Sequence, residues 1–211
     1  MRTISRTTKA VLAAGILASS LTVVAATTAT ANSGDLTASL QPVALNGVDG
    51  SGTALVTVRG TRIDIAMAAS GLLADAPHAA HIHFGADARH ECPAASDDLD
   101  ASNTLNTSEG APAYGPVRVS LTKTGDTSPA SALAIDRFDT APQGNLTYER
   151  GQIKVSQDVA KAVTRGEAVI VIHGVDHNHN GAYDGATASD LDPSLPTEAT
   201  DPALCGVIVP N

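Results

Sequence analysis

Residues 78 to 92 read His78-Ala-Ala-His81-Ile82-His83-Phe84-Gly-Ala-Asp-Ala-Arg-His90-Glu-Cys92, and they hold four of the seven histidines and one of the two cysteines. In His81-Ile82-His83 the i, i+2 spacing decides the reading. On a β-strand successive side chains point to opposite faces and alternate ones share a face, so two imidazoles project side by side as two ligands of one metal would. The remaining histidines, His173, His177 and His179, fall within seven residues of one another. His173 ends the apolar run Ala168-Val169-Ile170-Val171-Ile172, which reads as a buried strand. If that strand meets the His-x-His strand, three imidazoles converge.

Outward from this stretch the chain reads as short strands separated by turn residues. Strands are expected over 36–45, 53–58, 61–68, 117–122, 132–138, 146–155, 168–173 and 204–209. Asn46-Gly47, Asp49-Gly50, Arg59-Gly60 and Gly125-Asp126 supply the turn signals. In 61–67 the odd positions from Ile63 are apolar while Arg62 and Asp64 are charged, the mark of a strand with one wet face. One short helix is expected over 156–164, with Ser156 as cap and Val159 and Val163 one turn apart. Two polar stretches without apolar period, 93–115 and 176–202, read as long loops, of the kind that is functional or mobile in a compact domain. The expected class is all-β, an antiparallel sandwich or barrel in one domain over 32–211.

The first 31 residues read as a secretion signal. Arg2, Arg6 and Lys9 precede an apolar stretch from Ala10 to Ala26, and Ala29-Thr30-Ala31 is a small-residue cleavage pattern. The expected protein is therefore secreted, cleaved after Ala31 and not inserted in a membrane. This leader carries three basic and no acidic residues, so the formal net charge of −9 becomes −12 for the remainder. Such a surface argues against nucleic acid and anionic membrane as partners and suits cations. Two cysteines in an exported chain, Cys92 and Cys205, are expected to pair. Without Trp, and with two Phe and three Tyr, the core must come from Val, Ile, Leu and Ala.

Three stretches together resemble the copper/zinc superoxide dismutase family and its non-enzymatic relatives, the chordin-type (CHRD) domains among them. Ser70-Gly71-Leu72 followed by His78 to Gly85 resembles the approach to the family's copper-binding His-x-His strand, with Cys92 at the place of its loop cysteine. Gly166 to His173 resembles the strand that brings a further copper histidine, and Leu204-Cys205-Gly206-Val207-Ile208 the closing strand whose cysteine completes the disulfide. The resemblance implies a Greek-key sandwich or barrel with long metal-loop insertions, copper at His81, His83 and His173, and a Cys92–Cys205 bridge. It also fails in two places. No histidine lies between Glu91 and Ile172, where the enzymes keep their bridging and zinc histidines, and Pro202 stands where they carry a substrate-steering arginine. Superoxide would approach a chain of the same sign of charge. Three readings follow: a metal-binding protein without turnover, a copper-only superoxide dismutase, and a chordin-type interaction module whose histidines are structural.

The two polar loops carry a further signal that the resemblance does not supply. Asp98, Asp100, Ser102 and Glu109 occupy positions 1, 3, 5 and 12 of a calcium-loop template, with Asn103 where glycine makes the sharp turn. Asp176, Asn178, Asn180 and Asp184 occupy positions 1, 3, 5 and 9 of a second, with Gly181 at the turn and Thr187 where the last acid belongs. A hard, oxygen-ligated Ca²⁺ suits such loops, although Asn-Gly and Asp-Gly also occur as plain turn formers. His177 and His179 are alternatively an extension of the imidazole cluster. His78 and His90 are candidate auxiliary ligands or exposed loop residues. No nucleophile elbow, phosphate loop, dinucleotide turn or Cys-x-x-Cys pair occurs, so hydrolase, kinase and thiol-redox chemistry have no residues to stand on.

Overall fold

In the computed structural model, which describes residues 35–211, the alternating stretch around Ile63 is a strand with one buried and one wet face. Ile63, Ile65, Met67 and Ala69 are buried while Arg62, Ala66, Ala68 and Ser70 are exposed. The expected secretion signal and its expected cleavage site lie outside the described residues. Among the described residues the strands are β1 (Asp35–Pro42), β2 (Ser51–Arg59), β3 (Arg62–Ser70), β4 (Ala80–His83), β5 (Val117–Ser120), β6 (Leu146–Lys154), β7 (Val169–His173), β8 (Pro202–Val207) and β9 (Val209–Pro210). Two α-helices accompany them, α1 (Thr107–Tyr114) and α2 (Gln157–Arg165). None of these helices is long and apolar enough to cross a membrane.

Every pairing is antiparallel, in the order β5-β4-β7-β8-β1-β2-β3-β6, with β9 beside β1. β1 is the corner of this sheet. Its residues from 35 to 40 pair with β2, and Gln41 and Pro42 pair with β8, so the sheet bends along one strand. The bend brings the two ends of the strand order within side-chain reach. Arg150 of β6 donates to the carbonyls of Thr122 and Gly125, just beyond β5, at 2.6 Å each. Between the two halves lies the core, with Leu40, Val56, Ile63, Ile65, Ile82, Ile170, Ile172 and Leu204 among its members.

β7 is buried on both sides, which explains its uninterrupted apolar run. Ile170 and Ile172 face the main core, while Val169 and Val171 pack with Val43, Leu105, Tyr114 and Cys205 on the other face. That second face is where β4 turns His81 and His83, since Ile82 between them enters the main core. α1 covers it. The Cys92–Cys205 disulfide ties the loop after β4 to β8.

Helix α2 forms as expected, with the Ser156 hydroxyl accepting from Val159 N and with Val159 and Val163 buried. Four expectations fail. The stretch 132–138 is not a strand: two 3₁₀ turns, Pro129–Ser131 and Ile135–Arg137, occupy the region. There Ser128 and Ser131 bond the Asp126 carboxylate and offer the backbone a local alternative to a ladder. The polar stretch 93–115 is not all loop, because α1 starts in it behind a capping box of Asn106 and Glu109. The closing strand is broken at Ile208 into β8, which pairs with β7 and with the end of β1, and β9, which pairs with the start of β1, and β1 stops at Pro42 rather than reaching Leu45.

Candidate metal centre

The register assembles the three histidines. His81 pairs with Val171 and His83 with Val169 across β4 and β7. His173 lies two residues past Val171, so it shares the face of both and sits diagonally from His81. The rings stand 5.0 Å (His81–His173), 5.6 Å (His81–His83) and 5.8 Å (His83–His173) apart by their centroids. One ring nitrogen from each lies within 4.8 Å of one from each of the others.

Each ring is held by a backbone carbonyl from a different segment. The Nε2–H of His81 donates to Ala132 O at 3.0 Å, the Nδ1–H of His83 to Gly115 O at 2.8 Å, and the Nδ1–H of His173 to Thr200 O at 2.6 Å. A carbonyl only accepts, so these bonds place each proton and leave the lone pairs on the opposite nitrogens. Those opposite nitrogens, His81 Nδ1, His83 Nε2 and His173 Nε2, are buried and have no hydrogen-bond partner. Leaving a buried acceptor unpaired costs about 1–3 kcal/mol each, and three together in one place are unusual. Gly115 reaches His83 through a conformation that a side chain would not allow. Its φ is 83°, and a Cβ there would come within 2.6 Å of Gly85 N.

The electrostatics keep the rings neutral. Burial pushes His83 down to about 3 and His173 down to about 4, with His173 further lowering His83 and the Thr200 bond and Asp190 partly offsetting the shift of His173. His81 is pushed well below the ordinary value by burial and by the other two rings. A neutral imidazole with one bonded N–H and one free lone pair is the form that ligates a metal. The residues therefore fit a metal ion: three nitrogens bound at about 2.0–2.1 Å would lie about 3.4 Å from one another, and ring nitrogens of the three already lie within 4.8 Å of one another.

The walls are partly aromatic. Tyr114 of α1 packs on His83 with centroids 4.5 Å apart, and Phe138 packs on His81 at 5.4 Å. The three histidines are 4, 2 and 3 % exposed in chain order, so the cluster is enclosed.

The other histidines stand apart from it. His78 is buried rather than exposed: its ring bonds Leu73 O, His173 O and the Tyr183 hydroxyl. His90 stacks on Phe84 and donates to Gly85 O. His177 does not extend the imidazole cluster, since its Nε2–H donates to Asp201 Oδ2 at 2.9 Å, and His179 is exposed. Burial pushes the Asp201 carboxyl above the usual range while the bonds from His177 and Thr197 pull it down.

The oxygen-rich loops are shaped by their own hydrogen bonds. Asp98, Asp100 and Glu109 bring carboxylate oxygens within 4.8 Å of one another, and Asn103 takes the left-handed conformation expected of the turn position, with φ 68°. Asp98 accepts from Ser102 N and Asn103 N, and the Ser102 hydroxyl bonds Thr104. Both oxygens of Glu109 accept backbone N–H groups, from Leu99 and Asn106. In the second loop Asp176 accepts from Asn180 N and Gly181 N, while Asn178 and Asn180 donate their side-chain amides to Asp184. Glu198, which the sequence did not single out, accepts from the N–H groups of His177, Asn178 and Asp184.

The chain matches no protein-family profile and no curated protein.

Proposed function

We propose that this is an exported metal-binding protein whose copper-type centre is formed by His81, His83 and His173. The observation that carries the reading is the set of three enclosed ring nitrogens without partners, each on an imidazole whose other nitrogen is fixed by a carbonyl. Imidazole donors suit copper, zinc and nickel, and a bound copper would supply one-electron chemistry. The strand order supports a Greek-key sandwich of the superoxide-dismutase-like type, for the chain leaves β1-β2-β3 for β4 and β5, returns at β6 beside β3, and crosses again to β7. The disulfide is compatible with an oxidising compartment.

The enclosure favours binding over turnover. A substrate such as superoxide would have to pass walls that leave the three ligands nearly inaccessible, with no arginine near Cys205 to attract it. The test is to purify residues 32–211, load them with Cu²⁺, and measure metal per chain by mass spectrometry and nitrogen ligation by electron paramagnetic resonance. One copper per chain with imidazole nitrogens is expected. No copper at equimolar metal would leave the interaction-module reading, and superoxide consumption by the loaded chain would favour the copper-only dismutase.

A further inference from the structure

We propose that residues 129–136 are a lid that must swing away before a metal ion reaches His81, His83 and His173, and that Asp126, at its hinge, is its latch. This rests on the reading of the three histidines as a metal centre. With ligands 2 to 4 % exposed, a hydrated ion has no route in unless a wall moves, and the walls are unequal.

The floor is the sheet itself, with β4 paired to β5 and β7, and β7 paired to β4 and β8. The Tyr114–Gly115 wall is pinned by the Cys92–Cys205 bridge and by Arg89 N and Glu91 N donating to the carbonyls of Pro112 and Ala113. The Thr200 wall is cross-bonded from Thr107, Ser189 and, through Asp201, from Thr197 and His177.

The wall made by Ala132 and Phe138 is tied only at its two ends, where Ser120 N and Oγ donate to the carbonyls of Thr127 and Ser128, the Thr122 hydroxyl to that of Asp126 and Lys123 N to that of Arg137, and where Phe138 is buried. The backbone N–H groups of Ser131, Ala132, Ala134, Ile135, Arg137 and Phe138 all bond carbonyls within 128–135. Between Pro129 and Asp136 the hydrogen bond that joins this segment to the centre is the one from His81 to Ala132 O. Leu133 and Ile135 point outward, 41 and 39 % exposed, and so add little packing to hold it down. Local opening follows the fewest buried contacts and cross-segment bonds, which selects the stretch 129–136 of this wall, with its tied ends as hinges. Opening would also release the His81 ring from Ala132 and let it turn toward an incoming ion.

The latch is a single carboxylate oxygen. Asp126 Oδ2 accepts the hydroxyls of Ser128 and Ser131 at 2.6 Å each, and Arg137 donates to Ser131 Oγ at 2.6 Å and to the Asp126 carbonyl at 3.3 Å. These bonds keep the two turns folded over the centre. The Asp126 side chain is exposed, and its backbone stays held by the Thr122 hydroxyl, so its removal loosens the lid without opening a cavity.

The experiment follows Cu²⁺ uptake by the metal-free chain through its visible absorption in a stopped-flow instrument, and release by competition with a chelator. Asp126→Ala should take up and release copper about tenfold faster, the effect of losing two hydroxyl bonds to a carboxylate, with equilibrium affinity nearly unchanged. Ser131→Ala should show a smaller acceleration of the same kind. Amide exchange over 131–137 should quicken in Asp126→Ala and slow when copper is bound. Arg59→Ala, which breaks an exposed ion pair with Asp64, serves as the control for general loosening and should keep the wild-type rates. Wild-type rates in Asp126→Ala, or equal acceleration in Arg59→Ala, would overturn the lid while one copper still binds per chain. A wild-type chain that binds no copper at equilibrium would overturn the centre and the lid with it.

Discussion

Thr200 offers its backbone carbonyl to His173 Nδ1–H at 2.6 Å, and the same oxygen accepts the Thr107 hydroxyl at 2.7 Å. The carbonyl therefore keeps a donor if the imidazole is removed, while removing the ring also removes an unpartnered buried nitrogen. His173→Leu should change the stability of the metal-free chain by less than about 1.5 kcal/mol, as volume-conserving core exchanges do, yet abolish stoichiometric copper binding. Urea denaturation of the metal-free protein beside a metal assay checks both halves. A loss of several kcal/mol would mark His173 as a structural residue.

Acid should act through the same rings. In the unfolded chain a histidine binds its proton near its ordinary value, whereas the fold holds His83 at about 3 and His173 at about 4. The folded state thus binds fewer protons over that interval, and stability contributed by neutral burial is present above about 6.5 and lost as pH falls toward 4. For His173 alone the loss at pH 4 is on the order of 3 kcal/mol relative to neutral pH. Urea midpoints from pH 7 to 4 should therefore fall more steeply in the wild type than in His173→Leu. Parallel curves would show that the His173 ring is not held neutral by the fold.

What could be read from the sequence was whatever rested on periodicity. The spacing of His81 and His83 and the unbroken run ahead of His173 placed three rings on one face of adjacent strands, because alternation is a property of the strand and not of its surroundings. What could not be read were the acceptors that orient those rings. Ala132, Gly115 and Thr200 act through carbonyls, which every residue has, so their side chains give no sign of the role. Glu109 shows the opposite difficulty. Its place three residues after Asn106 is a helix-cap signature and also the last position of a calcium template, so one residue carries two signals that the sequence alone does not separate. His78 was hidden for a third reason, since its partners arrive from Leu73, His173 and Tyr183 and only the fold joins them.

Asn46 illustrates a turn residue with a second use. Its amide donates to the carbonyls of Leu105 and Pro202 at 2.9 and 2.8 Å and accepts from Leu105 N at 2.7 Å, all in the buried interior. It joins the turn after β1 to the residue just ahead of α1 and to the start of β8. Asn46→Ala would leave these backbone groups without partners and should cost on the order of 3 kcal/mol. Because Leu105 lies just ahead of α1, whose end carries Tyr114 and Gly115, copper affinity should fall as well. Calorimetric unfolding and copper titration of the variant measure the two effects. An unchanged melting temperature would mean that water replaces the amide.

The Cys92–Cys205 bond closes a loop with a sequence separation of 113 residues, and it crosses from the segment bearing α1 to the strand beside β7. Its removal should act at two levels. Releasing the unfolded chain from so long a loop costs roughly 2–5 kcal/mol of stability, an effect that does not depend on the metal. Both sulfurs also pack near Val171, Leu105 and Tyr114, so the wall that orients His83 through Gly115 loses its anchor. Cys92→Ser/Cys205→Ser should therefore melt at a lower temperature and bind copper more weakly. It should also exchange copper faster, by loosening a second wall. The two levels separate in a titration under conditions where the variant is still folded: an affinity equal to the wild type's there would confine the disulfide to the unfolded state and leave the orientation of His83 to the sheet and Gly115 alone.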